Sequence, residues 1–374
     1  PTLLAERGDA ISATATAWNE LMSSLGRPWW IDATVLVHRD DPSQNIFYVK
    51  TYRVLGDTSL TVDGAPYRTR LVARADHTNV VESMLGHASP HQDGAIILAD
   101  RLYDFANRDL WTLLDPSLDD QRQPLHAAFA PKARAELLAL LSEDAAAALT
   151  STAPARFALV EAVRAVGDRA ECGSTFRIYD LPWDGISESY YEVFRRYARD
   201  DAGDPCPSIT KDEAEAIISS SEALKDAGIG LRDAVGELVA VAARKVSVHE
   251  ARHSADHATA DAFHTPLPCE PCGERMSRSA RAELSAYAAT FAHPGTAYLA
   301  LLQACSLDRD RGTPHARALR ALLPRLSDGD ACATPPEDLT ERARDAELHF
   351  FGRSHAITHP DDFPARLELY ERRE

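Results

Sequence analysis

Leu231, Val235, Leu238, Ala242 and Val246 recur at spacings of three and four, and the same stripe then runs into His249, His253 and Asp256 or His257. No other feature constrains the fold of this chain so tightly. Residues at that spacing share one face of an α-helix. The helix must therefore bury aliphatic side chains along most of its length and point imidazoles in the same inward direction at its end. Two histidines at i and i+4 stand on adjacent turns, close enough to chelate one metal ion. Glu250 follows His249 on the same turn, rotated by about 100°. The stretch SVHEARHSADH (247–257) thus contains H-E-x-x-H. That pattern supplies two zinc ligands and a carboxylate able to take a proton from water beside the metal.

Catalytic zinc takes three protein ligands and keeps one position open. His257 is excluded as the third, because three rungs of one straight helix span about 12 Å at a ~1.5 Å rise per residue, too far for bonds of ~2 Å. It is read as a residue behind the ligands or at the surface. Position 259 is threonine, so no histidine stands six residues after His253. A second helical stripe, Met276, Ala280, Glu283, Tyr287 and Phe291, carries one carboxylate among apolar side chains. A buried charge needs a partner, and a metal would be that partner. Glu283 is therefore preferred over Glu274, which follows Cys272-Gly273 in a turn.

HEARH at 249–253, followed thirty residues after His253 by ELSAY at 283–287, resembles the gluzincin branch of the zincin metallopeptidases. The resemblance implies a zincin-like helical domain, zinc held by His249, His253 and Glu283, and Glu250 as general base. The implied substrate is a peptide or protein. One departure is visible: many gluzincins place an acid four residues after the ligand glutamate, and here that residue is Tyr287. The resemblance covers about forty residues of the 374. An oxyanion-stabilising donor is required as well, with Tyr287, His293, Tyr298, His349, His355 and His359 as candidates. Asp256 serves either as a carboxylate orienting His253 or as the i,i+4 partner of Arg252.

The rest of the chain divides softly near residue 131. Before it, IDATVLV, NIFYVKTYRVL, SLTVDGAPYRTRLVARA and AIILA read as strands after a helix around Asp9 to Leu25. Asp63-Gly64 marks a hairpin. In the run from Tyr67, apolar residues alternate with Arg68, Arg70 and Arg74, the period of a half-buried strand. His87 and His91 fall in a Gly/Pro/Ser-rich stretch and are read as loop residues. After Pro131 come alanine- and leucine-rich helices, with Gly228 as one stop signal. The expectation is an α+β protein: an N-terminal mixed α/β region with an antiparallel sheet (1–130), then a mainly α-helical domain (131–374). A chain of this length normally exceeds one core.

Composition narrows the partners. A net charge of −17, from 57 acidic and 40 basic residues, is the wrong sign for a phosphate-backbone footprint, so nucleic acid is not expected. No run approaches the ~18 apolar residues of a membrane span. The first residue is Pro1, which leaves room for a leader removed by the cell or in cloning. Six cysteines, mostly in loop-like stretches, fit up to three disulfides and an extracytoplasmic location. Cys269 and Cys272 read as a local disulfide in preference to half a zinc site or a redox pair. The alternative to a zinc hydrolase is a binding or structural protein that uses metal for stability, with the N-terminal region as its working part.

Overall fold

The Asp63-Gly64 pair turns the chain with positive φ at both residues, 51° and 85°, which is the type I′ geometry that matches strand twist. It joins β2 (Ile46–Val62) to β3 (Ala65–Arg74) in an antiparallel hairpin. The computed structural model describes residues 2–36, 46–75, 85–88, 94–167, 169, 182–199, 209–259, 267–273 and 276–369. Among these, α1 (Thr2–Ser24) leads into β1 (Trp29–Leu36), which pairs antiparallel with β2. β4 (Gly86–Ala88) and β5 (Ala95–Leu98) complete the sheet in the order β1-β2-β3-β5-β4. The β3–β5 pair is parallel and the others are antiparallel. A parallel pair needs a long crossover, and the twenty residues between Arg74 and Ala95 supply it. β4 is left at the edge.

Both faces of this sheet are covered. Along β5, Ile97 joins the main core while Ile96 and Leu98 pack with Trp30, Tyr52 and Val72 on the opposite side. This corrects the half-buried reading of β3. Arg70 is buried, with its guanidinium 4.1 Å over the Trp30 ring. Alternation marks the two faces of a strand but not whether the polar one is also roofed. Asn19 of α1 ties that helix to the backbone of β1 by exchanging two hydrogen bonds with Ile31, at 2.9 and 2.8 Å.

The helices follow as α2 (Ala99–Phe105), α3 (Pro124–Leu140), α4 (Glu143–Gly167), α5 (Glu188–Ala198), α6 (Lys211–Asp226), α7 (Gly228–Thr259), α8 (Arg278–Ala292), α9 (Ala297–Ser306), α10 (Pro314–Leu326) and α11 (Leu339–Phe351). A π-helical turn over Ala106–Leu110 continues α2. The alanine-rich stretch after Pro131 is two helices, because the chain leaves helical geometry at Leu141 and Ser142 caps the next one through Ala145 N (3.2 Å). Gly228, at φ 65°, breaks α6 from α7 as its stop signal implied. One continuous core runs from Leu60 and Val62 on β2 through α7 and α8 to Phe363, so it crosses residue 131. The fold is α+β.

The C-terminal segment returns to the sheet. β6 (Ile357–Thr358) pairs with the end of β2, and Ala356 exchanges two 2.9 Å hydrogen bonds with Asp63. Further on, Leu367 N donates to Gly236 O (3.1 Å) in the middle of α7. A Cβ at Gly236 would lie 2.6 Å from the Leu367 carbonyl oxygen, so only glycine lets the tail cross there. Disulfides join Cys269 to Cys272 and Cys305 to Cys332; Cys172 and Cys206 lie outside the described residues. Two such bonds suggest an oxidising environment. No helix among the described residues is long and apolar enough to cross a membrane.

Candidate metal centre

α7 is 32 residues long, and its aliphatic stripe from Leu231 to Val246 is fully buried. Against its last third packs α8, started by Ser277, whose hydroxyl accepts from Ala280 N (3.3 Å). Ala280 and Phe291 are buried on its inner face, and Glu283 projects between them toward α7. The packing brings His249 Nε2 to 3.3 Å and His253 Nε2 to 3.6 Å from Glu283 Oε2, with the two imidazole nitrogens 3.2 Å apart. Four ligands on a tetrahedron with bonds of ~2.05 Å stand about 3.3 Å from one another. The three atoms therefore form one face of a zinc-sized tetrahedron. Glu283 Oε2 is buried yet makes no aligned hydrogen bond, although imidazole nitrogens surround it. The donor set fits a divalent cation such as zinc.

The electrostatics carry the same imprint. Burial lowers the His249 pKa to about 4, so the ring is neutral, as a ligand must be. Burial opposes charge on His253 too, but Glu283 overrides it and raises the pKa to about 9. Burial pushes the Glu283 carboxyl up, and His253, His249 and His315 together hold it well below the ordinary carboxylate range. In the metal-free protein His253 and Glu283 thus stand as an ion pair, the imidazolium supplying the positive charge beside the carboxylate.

Glu250 is 5% exposed and lines the same cavity, of about 540 Å³. Burial raises its pKa to about 7, with His253 pulling the other way. Its carboxylate rests against β4, so closely that a Cβ on Gly86 would meet Glu250 Oε1 at 2.7 Å. Tyr287, where a gluzincin often has an acid, sets its ring edge-on to His249 with centroids 4.8 Å apart. His257 points toward the Ala88 backbone of β4, and its ring stacks 6.4 Å from that of His253. Asp256 pairs with Arg252 at 2.8 Å; the pair is buried, not exposed, and Arg252 Nε also donates to Ser285 Oγ (2.7 Å). Glu274 lies outside the described residues.

Two cavity residues were misread or missed in the sequence. His87 stands on β4, not in a loop, and lines the cavity; burial lowers its pKa. His91 lies outside the described residues. His315 enters on the first turn of α10, where Thr313 caps the helix through Ala316 N (3.2 Å) and Pro314 begins it. Its Nδ1 is 2.9 Å from Glu283 Oε2 and 3.3 Å from the Tyr287 hydroxyl. Thr-Pro before the histidine is a helix-start signal, but nothing local says which cavity that helix end faces.

The remaining donor candidates are engaged away from the cavity. His293 and His359 pack together with centroids 5.1 Å apart. The Tyr298 hydroxyl donates to Pro336 O and Glu337 O at 2.7 and 2.9 Å. His355 is sealed against Glu347 (2.7 Å), and His349 lies on Phe350. Compared with known proteins, the chain matches no family model, no curated protein and no solved structure.

Proposed function

We propose that this protein is a zinc-dependent hydrolase that cleaves peptide bonds, working outside the cytoplasm, as a secreted or periplasmic protein. The observation that carries the reading is the convergence of His249, His253 and Glu283 beside a buried carboxylate, Glu250, that is no part of the ligand set. A site built only for stability has no use for Glu250. Zinc bound there would supply Lewis acidity, polarising a carbonyl and lowering the pKa of adjacent water. Glu250, buried in the cavity beside the ligands, would take a proton from that water and pass it to the leaving amine. Tyr287 and His315 stand on the facing wall as donors to a developing oxyanion. Among the described residues β4 ends the sheet and lines the cavity, and an extended peptide can add to such an edge. That favours a peptide over a compact small molecule.

The test separates base from ligand. Glu250→Gln should keep one zinc per chain and the fold while lowering turnover of a cleaved peptide by at least ~10²–10⁴-fold. Glu283→Ala should lose zinc and activity together. The reading fails if Glu250→Gln is as active as the parent. It also fails if no peptide in a broad library is cleaved while zinc stays bound, which leaves the metal a structural one.

A further inference from the structure

Lys245 lies on the wall of the same cavity, one turn before His249 on α7, and the chemistry above does not use it. Its side chain is 4% exposed. The ammonium sits 5.0 Å from the centre of the Phe105 ring, at the end of α2. No carboxylate among the described residues reaches it as an ion pair; Glu250 and Asp109 act on it only from further off. Asp109 is already held by Arg108 at 2.9 Å and faces His126 at 3.4 Å. Glu250 is turned to the other wall, against Gly86. A buried ammonium without a carboxylate is costly, and a cation–π contact offsets only part of the desolvation. Burial accordingly brings its pKa down to about 7. A methionine would fill the same space at no such cost.

With no counterion for it among the described residues, Lys245 has a natural source of one in whatever enters the cavity. Lys245 precedes His249 by four residues, about 6 Å along the helix axis. One residue of an extended peptide spans ~3.5 Å, so a group within one or two residues of a bond held at the centre falls within reach. We infer that Lys245 binds a carboxylate of the substrate, so that the preferred peptides carry an acidic side chain or a free C-terminus beside the bond that is cut. This rests on the peptidase reading for the word substrate, and the experiment below keeps the two apart.

Peptides that differ only as Glu or Gln next to the cleaved bond form one arm, and the same peptide with a free or amidated C-terminus forms the other. In one arm the parent should favour the charged member by ~10- to 100-fold in kcat/KM, the range of a charge-assisted hydrogen bond. In Lys245→Met that ratio should fall to about one, with a melting temperature no lower than the parent's. The arm that responds identifies the source of the carboxylate. A ratio near one in both arms of the parent overturns the inference. So does a ratio that survives in Lys245→Met, or an equal loss on both members, which would make Lys245 a partner of Glu250 instead. An independent readout uses metal-free protein titrated with N-acetyl-L-glutamate and with its neutral diamide, followed by NMR. The parent should bind the anion at least ~10-fold more tightly than the diamide, and Lys245→Met should not; equal behaviour of the two proteins overturns the inference. If that difference appears and no peptide is ever cleaved, the carboxylate site stands and the peptidase reading falls.

Discussion

Gly86 gives a sharp test of where the base sits. It opens β4 with a strand conformation that alanine shares, so Gly86→Ala strains no backbone of its own. The added Cβ would stand 2.7 Å from Glu250 Cγ and Oε1 and 2.8 Å from Cδ, whereas ordinary contact begins at 3.4 Å. The carboxyl must then move by roughly 0.7 Å, more than the whole ~2.6–3.2 Å window in which a general base works. Misplacement of about 1 Å costs ~10²-fold, so a loss of roughly 10- to 100-fold in kcat is expected. Stability should change by no more than ~1 kcal/mol, since the entropy gained by replacing glycine, ~0.4–1 kcal/mol, works against the contact. The assay is turnover of a cleaved peptide beside zinc content and melting temperature. Full activity in Gly86→Ala would mean that Glu250 is not the base. Loss of zinc would mean that the displacement spreads to the ligands, and the local account would be wrong.

Three further outcomes follow. Denatured, unreduced protein should titrate at most two thiols, those of Cys172 and Cys206, and six would refute the disulfides; opening Cys305–Cys332, separated by 27 residues, should cost about 3–4 kcal/mol on the loop-entropy account. In metal-free protein, Glu250 is raised from 4.5 to about 7, so its contribution to stability is complete below pH ~4.5 and is lost as pH rises through ~7. Glu136, raised by burial to about 7, acts in the same window, so the test is the difference between parent and Glu250→Gln in denaturant melts across that range; parallel curves would refute it.

The sequence is most legible where structure is local. The stripe from Leu231 to Val246 announces both the helix and its buried face, and the same period carries His249 and His253 inward. Glu283 is readable for the same reason: a carboxylate among Ala280, Tyr287 and Phe291 has to meet a cation. The Asp63-Gly64 turn follows from backbone sterics alone. What escapes is whatever depends on distant neighbours. β4 has three residues, too few for any period, so His87 reads as loop. Arg70 looks solvent-facing because nothing in β3 reveals the Trp30 ring above it. His315 carries a helix-start signal, but its meeting with Glu283 is made by the packing of α10 on α8. The parallel β3–β5 pair likewise depends on how the chain crosses over between them.

The bond from Ala356 to Asp63 joins residues 293 apart in the chain, and that separation has a meaning in time. At a synthesis rate of ~5–20 residues per second, the hairpin waits roughly 15 to 60 s for the strand that pairs beside its turn. During that interval the turn at Asp63 stays uncovered, and the nascent sheet is exposed to other chains. Translation, rather than hairpin formation on its microsecond scale, therefore paces the closing step. A stretch made late in synthesis thus locks one made early.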